Sequence, residues 1–173
     1  PAHTRARMAL EGGADLLLAL PLPFAMAGAE RFARGGVSIL AQIGCTSLCF
    51  GSESADADLL CEVADLLLSP TFSEALRPHL DRGIGFAAAR ERAVSDLLGE
   101  SAAQLLRQPN DLLAVEYVKA IRTLRAPLRI VPIQRIGAGH DAPSPSMGFA
   151  SASDLRHEIR VGRSELLADY IPP

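Results

Sequence analysis

The chain has 173 residues, 49% hydrophobic and 21% charged, with 17 basic against 20 acidic side chains and a net charge of −3. This length suits about one domain with a real core, and the composition excludes global disorder and a generally basic nucleic-acid coat, though not a local basic patch. The longest apolar run, Leu16–Leu22, is broken by Pro21 and falls short of the roughly 18 residues a membrane span needs.

Three cysteines are too few for a disulfide framework and suit a reducing cytosol. The chain opens on Pro1 with no secretory or transit pattern and closes on Ile171-Pro172-Pro173. The expectation is a piece cut from a longer polypeptide.

In chain order, Thr4–Leu10 reads as a helix stopped by Gly12-Gly13, because glycine ends helices readily. Asp15–Pro21 is a nearly continuous apolar run after turn residues; it suits a strand buried on both faces, although periodicity alone does not exclude a helix. Ala25–Ile43 reads as a helix with Gly35-Gly36 as its weak point, and Thr46–Glu53 as a strand ending in a glycine turn. Strand, helix, strand is the order of a βαβ unit.

From Asp56 to Leu98 the pattern is helical. Leu59, Leu60, Val63, Leu66 and Leu67 give one apolar face; Pro70 ends that helix and is expected near the start of the next, with Ser73–Leu80 and Phe86–Leu98 as two more helices. Asp111–Leu124 is a further helix, and Leu128–Ile133 a third strand in which Pro132 disfavours a central position. Gly137–Gly148 is a loop, and Ser151–Ile159 begins a helix.

In open α/β sheets, ligands sit beyond the carboxyl ends of the strands. Three clusters fall there: Gly51-Ser52-Glu53, Gln134-Arg135-Ile136-Gly137 and Ser151-Ala152-Ser153. Glycine lets backbone approach a ligand, arginine pairs with phosphate, and a helix start offers N–H groups to anions. Together they suit a nucleotide-phosphate site. Taken singly, Gly51 is more often just a turn, and Ser151 and Ser153 are more often caps than ligands.

Asn110 or Asp111 reads either as the N-cap of the following helix or, for Asn110, as a ligand contact through its paired donor and acceptor. Cys45 and Cys49 are expected on one sheet face as core atoms, and their spacing does not suit zinc. His140-Asp141 in the glycine-rich loop is a candidate phosphate-contacting or catalytic pair, against a merely solvated histidine. Arg5, Arg7, Arg31 and Arg34 read as a patch for RNA phosphates or as solvated helix faces. No Ser-His-Asp set, paired carboxylates or Walker loop is present.

Read together, several segments carry a resemblance. They are Met8-Ala9-Leu10, Gly13–Leu16 with Leu20-Pro21, Phe32–Leu40, Phe50-Gly51-Ser52-Glu53, Gln108-Pro109-Asn110 with Leu113, Glu116-Tyr117, Arg135–Gly139, and Ala150–Arg156. In order and spacing the chain resembles the bacterial tRNA(Met) cytidine acetate ligase family along nearly its whole length.

The resemblance implies an α/β, Rossmann-like nucleotidyltransferase fold with a parallel sheet and a helical insertion, truncated at the N-terminus. It implies a partial ATP-binding domain over residues 1–160, with the insertion at about 55–108, and the start of a C-terminal helical region over 161–173. The family forms acetyl-adenylate from acetate and ATP, with Mg2+, and acetylates N4 of the wobble cytidine of elongator tRNA(Met) in the cytoplasm. By position, Gly51, Asn110, Arg135 and Ile136 match its ATP-contacting residues, with Ser151 and Ser153 as further contacts at a helix start.

Two departures from the family pattern stand out. The family's His-x-Gly-His-type motif and first strand are expected ahead of Pro1, and His140 follows Gly139 where many relatives carry an extra tyrosine. The 173 residues are therefore expected to be inactive alone. The rival readings are a nucleotidyltransferase acting on a small phosphorylated metabolite and a noncatalytic nucleotide- or RNA-binding module.

Overall fold

The computed structural model describes residues 2–136 and 152–163. The chain falls into two compact units, 1–133 and 134–173.

In the first unit, α1 (Ala2–Glu11) ends where Gly13 turns into the left-handed region at φ +103°, a step that costs glycine little. Residues 15–21 form no strand, although the apolar run suggested one. A strand needs a neighbour, and among the described residues the sheet holds only β1 and β2. Leu16, Leu17 and Leu18 stand exposed.

A short helix, α2 (Leu22–Ala25), follows Pro21. The next helix, α3 (Ala29–Gln42), starts later than its periodicity suggested because Gly28 is extended at ψ 166°. Gly35 is its closest packing point rather than a weakness: a Cβ there would lie 2.5 Å from Cγ of Phe24. Only a residue without a side chain lets α2 lie so near α3.

β1 (Ser47–Ser52) leads into α4 (Ala57–Leu67), capped by Asp56 accepting the Leu59 N–H at 3.0 Å. α5 (Pro70–Asp81) starts three residues before the expected Ser73, since Ser69 caps it through the Phe72 N–H and Pro70 fills its first position. α6 (Phe86–Leu98) matches its expected bounds. A six-residue helix, α7 (Glu100–Leu105), was not anticipated; it is too short to show a period.

α8 (Pro109–Leu124) ends with Arg125 at φ +50°, and the Ala126 N–H reaches back to the Ile121 carbonyl at 3.0 Å. This left-handed stop satisfies a helix-end carbonyl. β2 (Arg129–Gln134) then pairs with β1. The Arg129 N–H donates to the Thr46 carbonyl at 2.9 Å, so both strands start side by side and run parallel, with α4–α8 as the crossover. The α/β reading with a helical insertion is met.

α8 joins two cores. Val115 and Val118 pack with Leu60, Val63, Phe72 and Val94 from α4–α6. Ala120 and Ile121 pack with Ala33 and Val37 of α3, Leu48 of β1 and Leu128. β1 is buried at Leu48 and Ser52 and exposed at Cys49 and Gly51. Cys49 is thus no core atom: among the described residues, helices cover the Leu48 face of the strand and leave the Cys49 face open.

In the second unit, Arg135 and Ile136 follow β2 directly and are exposed, and α9 (Ala152–Arg160) is followed by Gly162. Arg163 pairs with Glu158 at 2.8 Å. The expected 137–148 loop lies outside the described residues. No described helix is long and apolar enough to cross a membrane.

Burial pushes the Cys61 thiol up, with the Arg122 guanidinium pulling partly back. The thiolate is the nucleophile, so iodoacetamide at pH 8 should label exposed Cys49 well before Cys61. Peptide mass spectrometry over a time course reads the order. Equal rates would mean that Cys61 is as accessible as Cys49.

Candidate functional site at the end of the first strand

Two segments 57–59 positions apart in sequence clasp each other. Asp111, 1% exposed, accepts the Glu53 N–H at 3.0 Å, the Ser54 N–H at 3.0 Å and the Ser52 hydroxyl. In return Glu53 accepts the Asp111 N–H at 2.9 Å and the Asn110 side-chain amide at 2.6 Å, with the Asn110 N–H at 3.4 Å.

The sequence explains why α8 needs this help. Its N-cap is Gln108, which makes no side-chain cap bond. That corrects the reading of Asn110 or Asp111 as the cap: Pro109 takes the first helical position, leaving them second and third. Pro109 has no N–H to satisfy, and Leu112 already donates to the Gln108 carbonyl at 2.8 Å. The remaining donors, on Asn110 and Asp111, are met by Glu53. A carboxylate at a helix N-terminus also gains from the helix dipole.

The loop after β1 is fixed from within as well. The Ser52 hydroxyl accepts the Ala55 N–H at 2.8 Å, and Ala55 sits at φ +52°. A left-handed alanine costs on the order of 1–2 kcal/mol, and the surrounding bonds hold it there. Every polar atom named in the clasp has a partner, as buried polar groups require.

Beside the clasp lies a cavity of about 360 Å³, lined by Glu53, Ser54, Asp56, Gln104, Gln108 and Asp111 among others. Its polar wall is carboxylate, hydroxyl and amide with no cation, and Leu59 and Leu105 supply an apolar part. It suits a ligand group that donates hydrogen bonds rather than a phosphate.

The expected site residues divide between the units. Gly51 and Asn110 are joined through Glu53: Gly51 lies two residues before it, and the Asn110 amide donates to its carboxylate. Gly51 is not a turn residue but the fifth residue of β1, on the strand's exposed face. A bare backbone surface there admits a close neighbour. Arg135, Ile136 and Ser153 belong to the second unit and are exposed. Ser151, His140 and Asp141 lie outside the described residues.

Sequence reading missed the pairing of Glu53 with Asp111, because nothing local signals a cap supplied from another element. The one available sign was a strong helix starting at Pro109 with no serine or threonine before it.

A βαβ unit with polar groups gathered at the carboxyl end of a strand has the architecture of an open α/β protein, in which ligands bind at that end. The HIGH Nucleotidyl Transferase family model matches residues 2–173, and the chain belongs to that family.

Among curated relatives it is 42% identical to the tRNA(Met) cytidine acetate ligase of Syntrophotalea carbinolica, over 92% of this chain and 39% of that protein. It is 39% identical to the ligase of that name from Anoxybacillus flavithermus, over 99% of this chain and 43% of that protein. Among solved structures it resembles apo Thermotoga maritima TmcAL with a TM-score of 0.88 and 34% identity, covering 97% of this chain and 42% of that one. The same Thermotoga protein bound with alpha-thio ATP matches with a TM-score of 0.84 and 34% identity, over 97% of this chain and 40% of that one. The chain thus spans about two fifths of the length of these relatives.

If the clasp organises the site, Asp111→Asn should cost on the order of 2–3 kcal/mol, since one buried donor loses its acceptor. Glu53→Gln, at a half-buried position, should cost about 1 kcal/mol. Urea unfolding measures both. A loss at Asp111 no larger than at Glu53 would contradict the buried clasp.

Proposed function

We propose that the chain is part of an ATP-dependent tRNA(Met) cytidine acetate ligase. The observation that carries this reading is the 34–42% likeness to proteins of that activity over 92–99% of the chain. The Glu53–Asn110 clasp supports it, fixing Asn110, one of the residues the resemblance assigns to ATP.

The chemistry is two transfers. An acetate oxygen attacks the α-phosphorus of ATP, the bond to the bridging oxygen breaks, and pyrophosphate leaves. The N4 amine of the wobble cytidine then attacks the acetyl carbonyl, AMP departs with the bonding pair, and the amine loses a proton.

In this reading Gly51 exposes backbone to the nucleotide, Asn110 hydrogen-bonds it, and Ile136 packs on it. Arg135 offsets phosphate charge, with Ser151 and Ser153 as further contacts. Mg2+ would arrive on the triphosphate, as it usually does; the carboxylates of the clasp are taken up by N–H donors. Residues 1–160 make part of the ATP-binding domain, with the insertion at about 55–108, and 161–173 begin a C-terminal helical region. The enzyme works in the cytoplasm.

The relatives carry more than half their length beyond the matched region, so the 173 residues alone should not turn over. The complete reading frame, given ATP, labelled acetate and bulk tRNA, should place ATP-dependent label on a cytidine of methionine tRNA. Without tRNA it should catalyse acetate-dependent exchange of pyrophosphate into ATP. Exchange that requires a phosphorylated metabolite, or ATP binding with no exchange, would overturn the ligase reading in favour of its rivals.

Arg135→Ala in that frame should lower exchange about 100-fold while leaving the thermal unfolding midpoint in place. Unchanged kinetics would remove Arg135 from the site.

A further inference from the structure

A second face of the first unit has the opposite electrostatic character. A cavity of about 340 Å³ is lined by Gly28, Ala29, Glu30 and Arg31 at the start of α3, Arg90 of α6, and Leu112 and Glu116 of α8. It shares Glu30 and Glu116 with a smaller hollow that adds Arg34, Lys119 and Thr123. The two make one trough along α3 and α8.

Four cations and two carboxylates line this trough. Glu116, 3% exposed, is spent on two cations at once, Lys119 at 2.8 Å and Arg90 at 3.5 Å. Arg31 and Arg34 are exposed, one helical turn apart, with no carboxylate partner among the described residues. An excess of positive charge here, on a chain of net charge −3, marks a surface for an anion. The start of α3 lies at the same cavity: its N-cap is Gly28, with no side-chain cap bond, and Glu30 stands in its first turn.

An aromatic adjoins the trough through Arg90. Phe86 is 60% exposed, and the Arg90 guanidinium lies over its ring, 6.0 Å from the centroid. A large exposed aromatic costs solvation with nothing gained in packing. An aromatic face braced by arginine beside unpaired cations is the chemistry by which proteins hold unpaired nucleotides: stacking for the base, charge for the phosphates.

We propose that this trough docks RNA, with Arg31 and Arg34 receiving backbone phosphates and Phe86 stacking an unpaired base. The inference rests on the ligase reading, and it assigns part of the tRNA contact to this face rather than to the carboxylate-lined cavity at the clasp. Arg90 acts through Phe86 and Glu116 and is a positioning residue.

The test uses the complete reading frame with Arg31→Ala/Arg34→Ala, and separately Phe86→Leu, which keeps bulk but loses the π face. The arginine pair should raise the KM for tRNA about tenfold or more. It should also reduce the salt dependence of tRNA binding by about two phosphate contacts. Phe86→Leu should raise the KM for tRNA, with Phe86→Tyr restoring it.

Acetate-dependent pyrophosphate exchange without tRNA should be unchanged in every variant. Unaltered tRNA binding and salt slope would overturn the proposal, and would leave the trough to an acidic protein segment. A parallel fall in exchange would also overturn it, by tying the face to the ATP step or to folding. Absence of exchange in the unaltered protein would instead strike the ligase reading, and tRNA binding measured by fluorescence anisotropy would still decide this one.

Discussion

The structure turns on a helix that does not cap itself. α8 runs through both cores, with Val115 and Val118 in one and Ala120 and Ile121 in the other. Its first N–H groups would be left open but for Glu53, carried on the loop after β1. Asp111 returns the favour to that loop. The strand end and the helix start are therefore placed by one set of bonds, and a shift of either breaks both. Charge-assisted bonds of this kind are about twice as strong as neutral ones and are directional, which suits a site where ångström placement decides activity.

The two charged faces of the first unit follow from how each carboxylate is used. At the clasp, Glu53 and Asp111 are consumed by backbone donors, and the neighbouring cavity presents acceptors. Along α3 and α8, Glu116 is consumed by Lys119 and Arg90, leaving Glu30 as the one other carboxylate beside Arg31 and Arg34, which form no ion pair among the described residues. A chain with slightly more acids than bases can still offer a phosphate-friendly surface, because burial decides which charges are felt outside.

Much of the fold could be read from the sequence. The helices with strong periodicity, α4, α6 and α8, and strands β1 and β2 appear where apolar spacing put them, because spacing reports the face each buries. What failed was what depends on neighbours. The run at 15–21 reads as a strand, yet no strand lies beside it among the described residues. α7 is too short to show a period, and Gly51 looked like a turn because glycine is read locally. The clasp could not be seen at all: its partners lie 57–59 positions apart, and a carboxylate capping a distant helix leaves no local mark. Position and residue chemistry already marked Gly51 and Asn110 as candidates, each with a purely structural alternative, and the resemblance gave both the same role.

Ala55 carries a consequence of its own. At φ +52° it occupies a conformation that glycine would take almost free of strain, yet the position holds a methyl group. Glycine would ease the strain but widen the loop's conformational repertoire in the unfolded chain and in the native one. The alanine instead narrows the choices to one and lets the Ser52 and Asp111 bonds hold it. The loop is in effect pre-tensioned: it trades some resistance to heat for a single shape, set in advance, at the end of β1.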